Sequence, residues 1–490
     1  MAMPERPNVI VIVSDTFRPD HLSVFGHGHA ETPELDAFVR RSVTFDRATV
    51  LSFPTIPMRT DCFTGRVGVT RYPWRDLDRA AITLPGLLRQ HGYVAQLIAD
   101  TTHMLRAKFW EPFDYFHFLR GHEGDTPACR MNDPIKPVMS DRRKTRVETG
   151  NTGDRPVLCD LHAHTNFRQR YEDEAHCALL ADASCRWIED NYRGRPFLLW
   201  LDFFDVHEPW FPPEYLLRKY QPRYDGEPMV HPNYGSAEVY RPEELANLRA
   251  RYACMCTLVS KHAGRVLRLV EDTGLVENTL VVFLSDHGTF LGEHGLTGKT
   301  LINQFENDVF PFHPEVSRVC WSMSLPESLG IPAQPDARMP HLVQPPDLMP
   351  TILDLCGIKP PAQAQIEGKS LVPLLRGETE AGPRPVAVTT STTRTHRSKD
   401  LVYCRRPAAT DGAWTLILRE PPDPAPPLLY HTEEDPAHRR DLLAEHRDEA
   451  RRLHGMMLDF LRAHEATPET LERLSREAVG LSVKSGKGAR

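Results

Sequence analysis

The chain has 490 residues and a mass of 55.8 kDa, which is enough for about two domains around a large core. Its 40% hydrophobic and 26% charged residues are ordinary for a soluble globular protein. The net charge of −7 excludes a basic footprint for nucleic acid, so an anionic ligand would need a local positive site in a mildly acidic protein.

The ten cysteines are scattered and include no C-x-x-C pair, which indicates reduced thiols and not a disulfide framework. The residues before the first strand contain no apolar leader segment. The apolar run Val9–Val13 is too short to span a membrane. We therefore expect a cytoplasmic protein with no membrane partner, and we leave open whether it forms a homo-oligomer.

The first predicted strand is the β-branched run Asn8–Val13, which is typical of a parallel strand covered on both faces. It is followed directly by Ser14 and Asp15. Ligands of open α/β sheets bind beyond the carboxyl ends of the strands, so Asp15 is a candidate metal ligand. A turn or helix-capping role for Asp15 is an equal alternative on this segment alone.

The next informative stretch has Thr55, Pro57 and Arg59 at positions i, i+2 and i+4. Pro57 is best tolerated in the first turn of a helix, which places Thr55 at or just before a helix N-terminus. The Thr55 hydroxyl would then lie among free N–H groups, with Arg59 on the same helix face. Such a set can hold phosphate or sulfate, although an ordinary helix capped by Thr55 has the same pattern.

Three later strands also end in polar side chains. They are Tyr93–Ile98 followed by Asp100, Thr101, Thr102 and His103; Phe197–Leu201 followed by Asp205 and His207; and Thr279–Leu284 followed by Asp286 and His287. Lys299 lies in the glycine-rich loop that comes next. Helical segments alternate with these strands, which predicts an α/β fold with a doubly wound, mostly parallel sheet.

The pattern changes near Pro383. Residues 1–383 are predicted to form a large α/β domain. Residues 384–480 contain four short strand patterns and a basic amphipathic helix from about Ala444 to His464, which predicts a small antiparallel sheet covered by one helix. Residues 481–490 are predicted to be a flexible tail. The polar segment Met131–Pro156 is interpreted as an excursion over the surface.

These segments together resemble the sulfatase family of the alkaline phosphatase superfamily, in particular its branch of arylsulfatases and phosphonate monoester hydrolases. The matching segments are Asn8–Asp15, Thr55–Arg59 with Thr64–Arg66, His207–Trp210, Ser285–Gly288, Gly295 to Lys299, Asp347–Asp354 and Gly368–Leu371. The second of them corresponds to the C/S-x-P-x-R…T-G-R nucleophile signature of the family. The match covers nearly the whole chain and makes residues 1–383 the catalytic domain.

Two departures from the family pattern change the expected chemistry. Thr55 stands where sulfatases carry the Cys or Ser that is oxidised to formylglycine. Oxidation of a threonine would give a ketone, so no formylglycine is expected. Many sulfatases have Lys-x-His where this chain reads Asp100-Thr101-Thr102-His103. Thr101 and Thr102 instead resemble the polar pair of phosphonate monoester hydrolases and are candidate substrate-binding residues.

The resemblance and the chemistry of the side chains imply one metal site. Asp15, Asp286, His287 and Thr55 are expected to bind one divalent ion, which could be Mn²⁺, Mg²⁺, Ca²⁺ or Zn²⁺. Coordination would activate the Thr55 hydroxyl as the nucleophile. A second ion would need further ligands; the four candidates, whose spacing does not match the expected two-metal pattern, are Asp205, His207, His294 and His313.

The remaining candidate catalytic residues would act on the substrate directly. Arg59 and Lys299 would bind the non-bridging oxygens, where negative charge lies in the transition state. His207 would protonate the leaving group, with His103 as the alternative. The covalent intermediate on Thr55 would then be resolved by water or by an acceptor alcohol.

The sequence therefore predicts a metal-dependent hydrolase of phosphate or phosphonate mono- or diesters, with a small anionic ester as substrate and no nucleic-acid partner. A sulfatase that works without formylglycine is the first alternative. A phosphotransferase or mutase would use the same covalent intermediate. A non-catalytic binding protein with this fold is the last alternative, and the complete set of charged candidate residues argues against it.

Overall fold

The computed structural model describes residues 6–26, 28–127, 135–139, 158–167, 169–194, 196–302, 307–332, 336–394, 401–419 and 426–477. The predicted tail at residues 481–490 lies outside the described residues. So does most of the predicted surface excursion at 131–156, of which only residues 135–139 are described.

Eighteen strands and thirteen α-helices are assigned in these residues. The strands are β1 (Asn8–Ser14), β2 (Val43–Ala48), β3 (Ser52–Phe53), β4 (Val94–Ala99), β5 (Tyr115–Phe118), β6 (Phe197–Phe203), β7 (Gly235–Ser236), β8 (Thr279–Ser285), β9 (Phe290–Leu291), β10 (Leu296–Gly298), β11 (Thr300–Ile302), β12 (Asn307–Val309), β13 (Trp321–Ser324), β14 (Ala337–Val343), β15 (Ala387–Arg394), β16 (Leu401–Thr410), β17 (Trp414–Ile417) and β18 (Leu428–His431). The helices are α1 (Pro33–Arg40), α2 (Thr55–Thr64), α3 (Leu84–Gln90), α4 (Thr102–Arg106), α5 (Leu158–Thr165), α6 (His176–Asn191), α7 (Glu214–Tyr220), α8 (Pro242–Asp272), α9 (Pro314–Ser317), α10 (Leu348–Leu355), α11 (Val372–Leu375), α12 (Arg447–Ala463) and α13 (Pro468–Glu477).

The main sheet has eight strands in the order β14-β2-β13-β8-β1-β6-β4-β5. Strand β1 lies near its centre and is parallel to both neighbours, so that Val11 pairs with Trp200 in β6 and with Val282 in β8. Strand β13 runs antiparallel to both β8 and β2. The predicted α/β fold with a doubly wound, mostly parallel sheet is confirmed, and the antiparallel strand is an addition to it.

Helices cover both faces of this sheet because the side chains of β1 alternate between two cores. Val9, Val11 and Val13 pack into the core that also holds side chains of α2, α3 and α10. Ile10 and Ile12 point the other way, into the core formed with α1, α6 and α8. Among the described helices, none has the length and apolar character needed to cross a bilayer.

The second sheet has five strands in the order β18-β17-β16-β15-β3. Its last four strands in the chain pair antiparallel, and α12 packs on them, as predicted. The short strand β3 joins the edge of this sheet in parallel, with Ser52 paired to Thr390 and Phe53 paired to Ser391. The predicted domain limits stay a prediction, but the second sheet is not built from C-terminal residues alone.

Candidate active site

The carboxyl ends of neighbouring parallel strands bring the first group of predicted site residues together. Asp15 follows β1, and Asp286 and His287 follow β8; the ends of these two strands are paired, with Ser14 opposite Ser285. The third strand of this region, β6, contributes Asp202. Each of these four side chains is fully buried, so their charges must be balanced inside the protein.

Asp15, Asp286 and His287 form a group that could hold a metal ion. Their ligand atoms all lie within 4.8 Å of one another. Within the described part of the chain, Asp15 Oδ2 and His287 Nε2 are buried atoms with no hydrogen-bond partner, which is costly unless a ligand satisfies them. Carboxylates and a neutral imidazole suit a divalent cation, so these residues fit the predicted ion.

The protonation of this group is consistent with that fit. Burial, together with the neighbouring Asp286 carboxylate, raises the pKa of Asp15 well above its usual range. Burial also lowers the pKa of His287 to about 4, which leaves its imidazole neutral at neutral pH. Neutral imidazole is the metal-binding form, and added positive charge here would stabilise the ionised Asp15 carboxylate.

Arg59 lies at the centre of the carboxylates. Its Nε and Nη2 atoms donate to Asp202 at 3.0 and 2.7 Å, and its Nη1 donates to Asp286 Oδ2 at 2.8 Å. The same Nη1 donates to the Thr55 carbonyl at 3.0 Å and lies 3.3 Å from Asp15 Oδ2. The Arg59 side chain is therefore held against the metal-binding group and the start of α2, and direct contact with substrate stays a prediction.

Thr55 is the first residue of α2, and the residue at the cap position is Pro54, without a side-chain cap hydrogen bond. The alternative interpretation, in which the Thr55 hydroxyl caps the helix, is therefore wrong. Thr55 lines a cavity of about 390 Å³ together with His103, His207 and Lys299. Four of the five predicted catalytic residues thus share one cavity.

His103 and His207 differ in their surroundings. The Nε2 atom of His103 lies 3.3 Å from a Glu123 carboxylate oxygen. Burial raises the pKa of Glu123, but the hydrogen bond and charge of His103 outweigh burial and leave this pKa at about 2. For His207, burial and then the Lys299 charge lower the pKa well below 6.5, and its Nδ1 lies 2.6 Å from the Glu208 carbonyl oxygen.

The two predicted substrate-binding threonines have other surroundings. Thr101 is fully buried, and its hydroxyl donates to Asp202 Oδ1 at 2.5 Å. Thr102 is also buried, and its hydroxyl has no partner among the described residues. Neither residue is among those that line the Thr55 cavity. Their role in substrate binding stays a prediction, and Thr101 has a visible role in orienting Asp202.

The four candidates for a second ion have the following contacts. Asp205 Oδ1 lies 3.6 Å from His122 Nε2. His294 and His313 stack on each other with ring centroids 3.7 Å apart. His207 lines the Thr55 cavity. In the described residues, the group of three ligands within 4.8 Å of one another is the one around Asp15.

Sequence reasoning missed five residues of the site. They are Thr16, Glu123, Asp202, Glu208 and Tyr234. A signal existed for three of them, because Thr16 and Glu208 adjoin predicted site residues and Asp202 lies at the end of a buried strand. No sequence signal identified Glu123 or Tyr234, because neither residue adjoins a predicted site residue in the chain.

The family follows from the fold, the site and the sequence together. The chain matches the description "Sulfatase" over residues 7–358, and it belongs to that family. It is 25% identical over 397 residues to an ulvan-active sulfatase of Formosa agariphila, covering 79% of this chain and 68% of that protein. It is 24% identical over 400 residues to an arylsulfatase of Clostridium perfringens, covering 76% of this chain and 78% of that one.

A solved structure shows the same fold. The phosphonate monoester hydrolase of Agrobacterium radiobacter superposes with a TM-score of 0.71 and 22% identity, covering 94% of this chain and 96% of that one. The chain is thus a member of the sulfatase family, as the motifs predict, and it shares its fold with a phosphonate monoester hydrolase. The family and its relatives support an activity as a hydrolase of sulfate or phosphate-type esters, without specifying the particular ester.

Proposed function

We propose that the protein is a metal-dependent hydrolase of phosphate or phosphonate mono- or diesters, with Thr55 as the nucleophile. One observation carries the proposal: a threonine hydroxyl, which cannot become formylglycine, lines the cavity shared by His103, His207 and Lys299. A threonine alkoxide can attack phosphorus in line, and the resulting phosphothreonine can be cleared by attack of water at phosphorus.

The described residues supply the other parts of this reaction. Lys299 lines the same cavity as Thr55, and its ammonium would bind a non-bridging oxygen of the ester. Arg59 would hold the carboxylates of Asp15 and Asp286 in place through its Nη1. Arg59 also contacts the Asp202 carboxylate, and together the three carboxylates hold the Arg59 side chain. Through Arg59 they position the start of α2 and with it Thr55.

Asp15, Asp286 and His287, with the Thr55 hydroxyl, would hold the divalent cation, which when bound would favour the ionised form of that hydroxyl and offset charge on the ester oxygens. The chain itself contributes the geometry. Thr16 donates its backbone N–H to Asp286 Oδ1 at 2.8 Å and its hydroxyl to Asp15 Oδ1 at 2.8 Å, which fixes both carboxylates.

For the leaving group, the surroundings favour His103 over His207 as the acid. A low pKa of His207 means that its ring is neutral near pH 7 and has no extra proton to give. His103 instead lies beside Glu123: its Nε2 is 3.3 Å from a carboxylate oxygen of Glu123, and the Glu123 pKa of about 2 leaves that carboxylate ionised near pH 7. His103 would give its proton to the leaving oxygen as the bond from phosphorus to that oxygen breaks.

A second candidate is a sulfatase that uses Thr55 directly, and the names of the related sulfatases favour it. Thr55 has no second hydroxyl to expel sulfate by cleavage of its own C–O bond, so a sulfothreonine would have to be hydrolysed directly and would accumulate. A phosphotransferase or mutase would share the covalent intermediate and differ only in the acceptor.

The test is a comparison of four aryl substrates with the metal-loaded protein: sulfate, phosphate, phosphate diester and phenylphosphonate. We expect kcat/KM for a phosphorus ester to exceed that for the sulfate ester by orders of magnitude, roughly the several kcal/mol that electrostatic stabilisation supplies. Intact-mass spectra taken during turnover would show whether Thr55 carries phosphate or sulfate. Rapid multiple turnovers of the aryl sulfate, with the phosphorus esters inert, would refute the proposal.

A further inference from the structure

A fully buried carboxylate stands next to the cavity proposed for an anion. Glu208 is 0% exposed, and its Oε1 lies 3.3 Å from the Lys299 Nζ. The Lys299 side chain is itself only 7% exposed. A negative group at this place would repel an anionic ester. The neighbouring Lys299 ammonium offers an explanation for why a carboxylate lies here. A buried ammonium is destabilised unless an opposite charge lies close to it.

Tyr234 holds the same carboxylate oxygen from the other side. Its hydroxyl donates to Glu208 Oε1, and its ring lines the Thr55 cavity. The ring packs on the backbone of Gly298, the residue directly before Lys299: a Cβ added to Gly298 would lie 2.3 Å from Tyr234 Cδ1. Gly298 thus leaves room for the ring, and the Tyr234 side chain contacts both Glu208 and the backbone that carries Lys299.

We propose that Glu208 and Tyr234 are positioning residues, which hold the Lys299 ammonium in place at the wall of the Thr55 cavity. This inference rests on the proposed function, in which Lys299 binds an oxygen of the anionic ester. Glu208 and Tyr234 act through Lys299 and need not touch the substrate.

The donor count of Lys299 supports this assignment. An ammonium has three N–H donors. In the described structure, one is directed to Glu208 Oε1 at 3.3 Å and another to the Thr16 hydroxyl at 3.2 Å. The third donor remains for an oxygen of the ester. Because two N–H donors of Lys299 have fixed partners, the direction of its third N–H determines where the anion would bind.

The experiment measures the affinity for inorganic phosphate, with inorganic sulfate as a second probe, in the metal-loaded protein by calorimetry. Four variants are compared with the wild type: Glu208→Gln, Tyr234→Phe, Lys299→Ala, and Glu208→Gln combined with Lys299→Ala. Tyr234→Phe keeps the ring on Gly298 and removes only the hydroxyl. Thermal unfolding of each variant shows whether it is folded. If Glu208→Gln does not fold, a double-mutant cycle of Tyr234→Phe and Lys299→Ala replaces the cycle of Glu208→Gln and Lys299→Ala.

We expect Lys299→Ala and Glu208→Gln each to weaken anion binding about tenfold or more, because each breaks one buried charge pair. The Tyr234→Phe change should weaken it by a smaller factor. Adding Glu208→Gln to Lys299→Ala should cause no further loss, because Glu208 acts only through Lys299. With a turned-over ester, the same variants should raise KM more than they lower kcat.

The outcomes separate the two proposals. Full-strength binding of both anions by Lys299→Ala would remove the role of Lys299 in anion binding and overturn this inference, while the assignment of Thr55 would still be decided by the substrate comparison and the intact-mass spectra. Weak binding by Lys299→Ala but not by Glu208→Gln, or losses that add in the double variant, would overturn this inference alone.

Discussion

At the scale of single residues, the proposed nucleophile is the Thr55 hydroxyl oxygen. We expect Thr55→Ala to lower turnover about a thousandfold or more, because removal of a nucleophile abolishes the covalent route. Its stability should change little, since Thr55 is the first residue of α2 and Pro54, not Thr55, occupies the cap position. The matched variant Thr55→Ser keeps a hydroxyl and should retain activity, provided that intact mass shows an unmodified serine, because the change creates the S-x-P-x-R signature of formylglycine formation. Unchanged initial rates for Thr55→Ala would exclude Thr55 as the nucleophile.

Glu123 is the residue that distinguishes the two candidate acids. Glu123→Gln removes the ionised carboxylate beside His103, so it should lower kcat/KM for esters with poor leaving groups about a hundredfold. Esters of 2,4-dinitrophenol need no acid and should react almost as fast as with the wild type. An equal loss for both ester types would instead indicate a role of Glu123 in binding or folding.

The buried ligand group makes the metal dependence testable. After treatment with chelator and dialysis, the protein should lose activity, and adding back a divalent ion should restore it. Asp286→Asn should lower the metal content measured by elemental analysis, because it removes one anionic ligand. The exposed Asp190→Asn is the matched control and should bind metal normally. Full activity without detectable metal would contradict the prediction.

The positions of residues that follow a buried strand could be predicted from the sequence, but the contacts that side chains make with distant parts of the chain could not. Asp15 and Asp286 directly follow β-branched runs, and the parallel geometry of β1 and β8 forces them together. Asp202 binds Arg59 over a separation of 143 residues, and nothing local marks that contact. The partners of Arg59 and Lys299 therefore had to come from the structure.

At the scale of secondary structure elements, Gly288 marks a close packing of the loop after β8. A Cβ at this position would lie 2.1 Å from the Glu315 carbonyl oxygen in α9 and 2.8 Å from Arg18 Cγ. We expect Gly288→Ala to destabilise the protein by about 1–3 kcal/mol, as other overpacked substitutions do. The measurement is the midpoint of denaturant unfolding.

Gly455 is the control for that substitution. It lies inside α12, and a Cβ there would meet nothing within 4 Å. Gly455→Ala should therefore leave stability unchanged or raise it by about 0.5–1 kcal/mol, since alanine favours the helix. If both variants were equally stable, the close approach at Gly288 would not constrain the loop that carries His287.

Elements with a clear apolar pattern could be predicted, and several strands without one could not. The helical apolar spacing of residues 242–272 predicts a helix, and the segment from Val43 to Ala48 predicts a strand; α8 and β2 have these limits in the structure. Residues 172–192 also have a helical pattern, but α6 begins only at His176; Ala175 has an extended backbone and separates it from a 3-10 helix at Glu172–Glu174. Strands β5, β13 and β14 were missed; two of them have four residues each, and the third contains a proline.

At the scale of the whole molecule, buried neutral histidines couple stability to pH. Burial lowers the pKa of His176 and of His438 to about 3. The charged groups that act on them are His122, Asp100 and Asp125 for the first and His294, Asp435 and Arg318 for the second. Both rings are almost fully buried, so the folded state excludes the protonated form.

The sign of the pH effect follows from proton binding. An unfolded histidine binds its proton below about pH 6.5, whereas these two bind it in the folded state only near pH 3. The unfolded state therefore binds more protons between these values, and the free energy of unfolding falls as the pH falls. Between pH 7.5 and 5.0 each histidine should cost about 2 kcal/mol.

Denaturant unfolding at several pH values measures this slope for the wild type, for His438→Gln and for His117→Gln. The first variant should flatten the slope, because it removes one buried ring that cannot be protonated. His117 is exposed, so its replacement should leave the slope as it is. Parallel slopes for all three proteins would show that His438 is not a source of the pH dependence.

The pairing of β3 with β15 has a consequence for biosynthesis. Ser391 donates its hydroxyl to the carbonyl of Phe53. Phe53 lies two residues before Thr55, and Ser391 lies 338 residues after Phe53 in the chain. A nascent polypeptide cannot complete the strand that leads into Thr55 until that distant segment has left the ribosome, roughly 20 to 70 seconds later at ordinary elongation rates. The proposed nucleophile is thus translated early, and the strand before it is completed late, so that translation products interrupted before residue 391 carry the motif without the strand pairing that supports it.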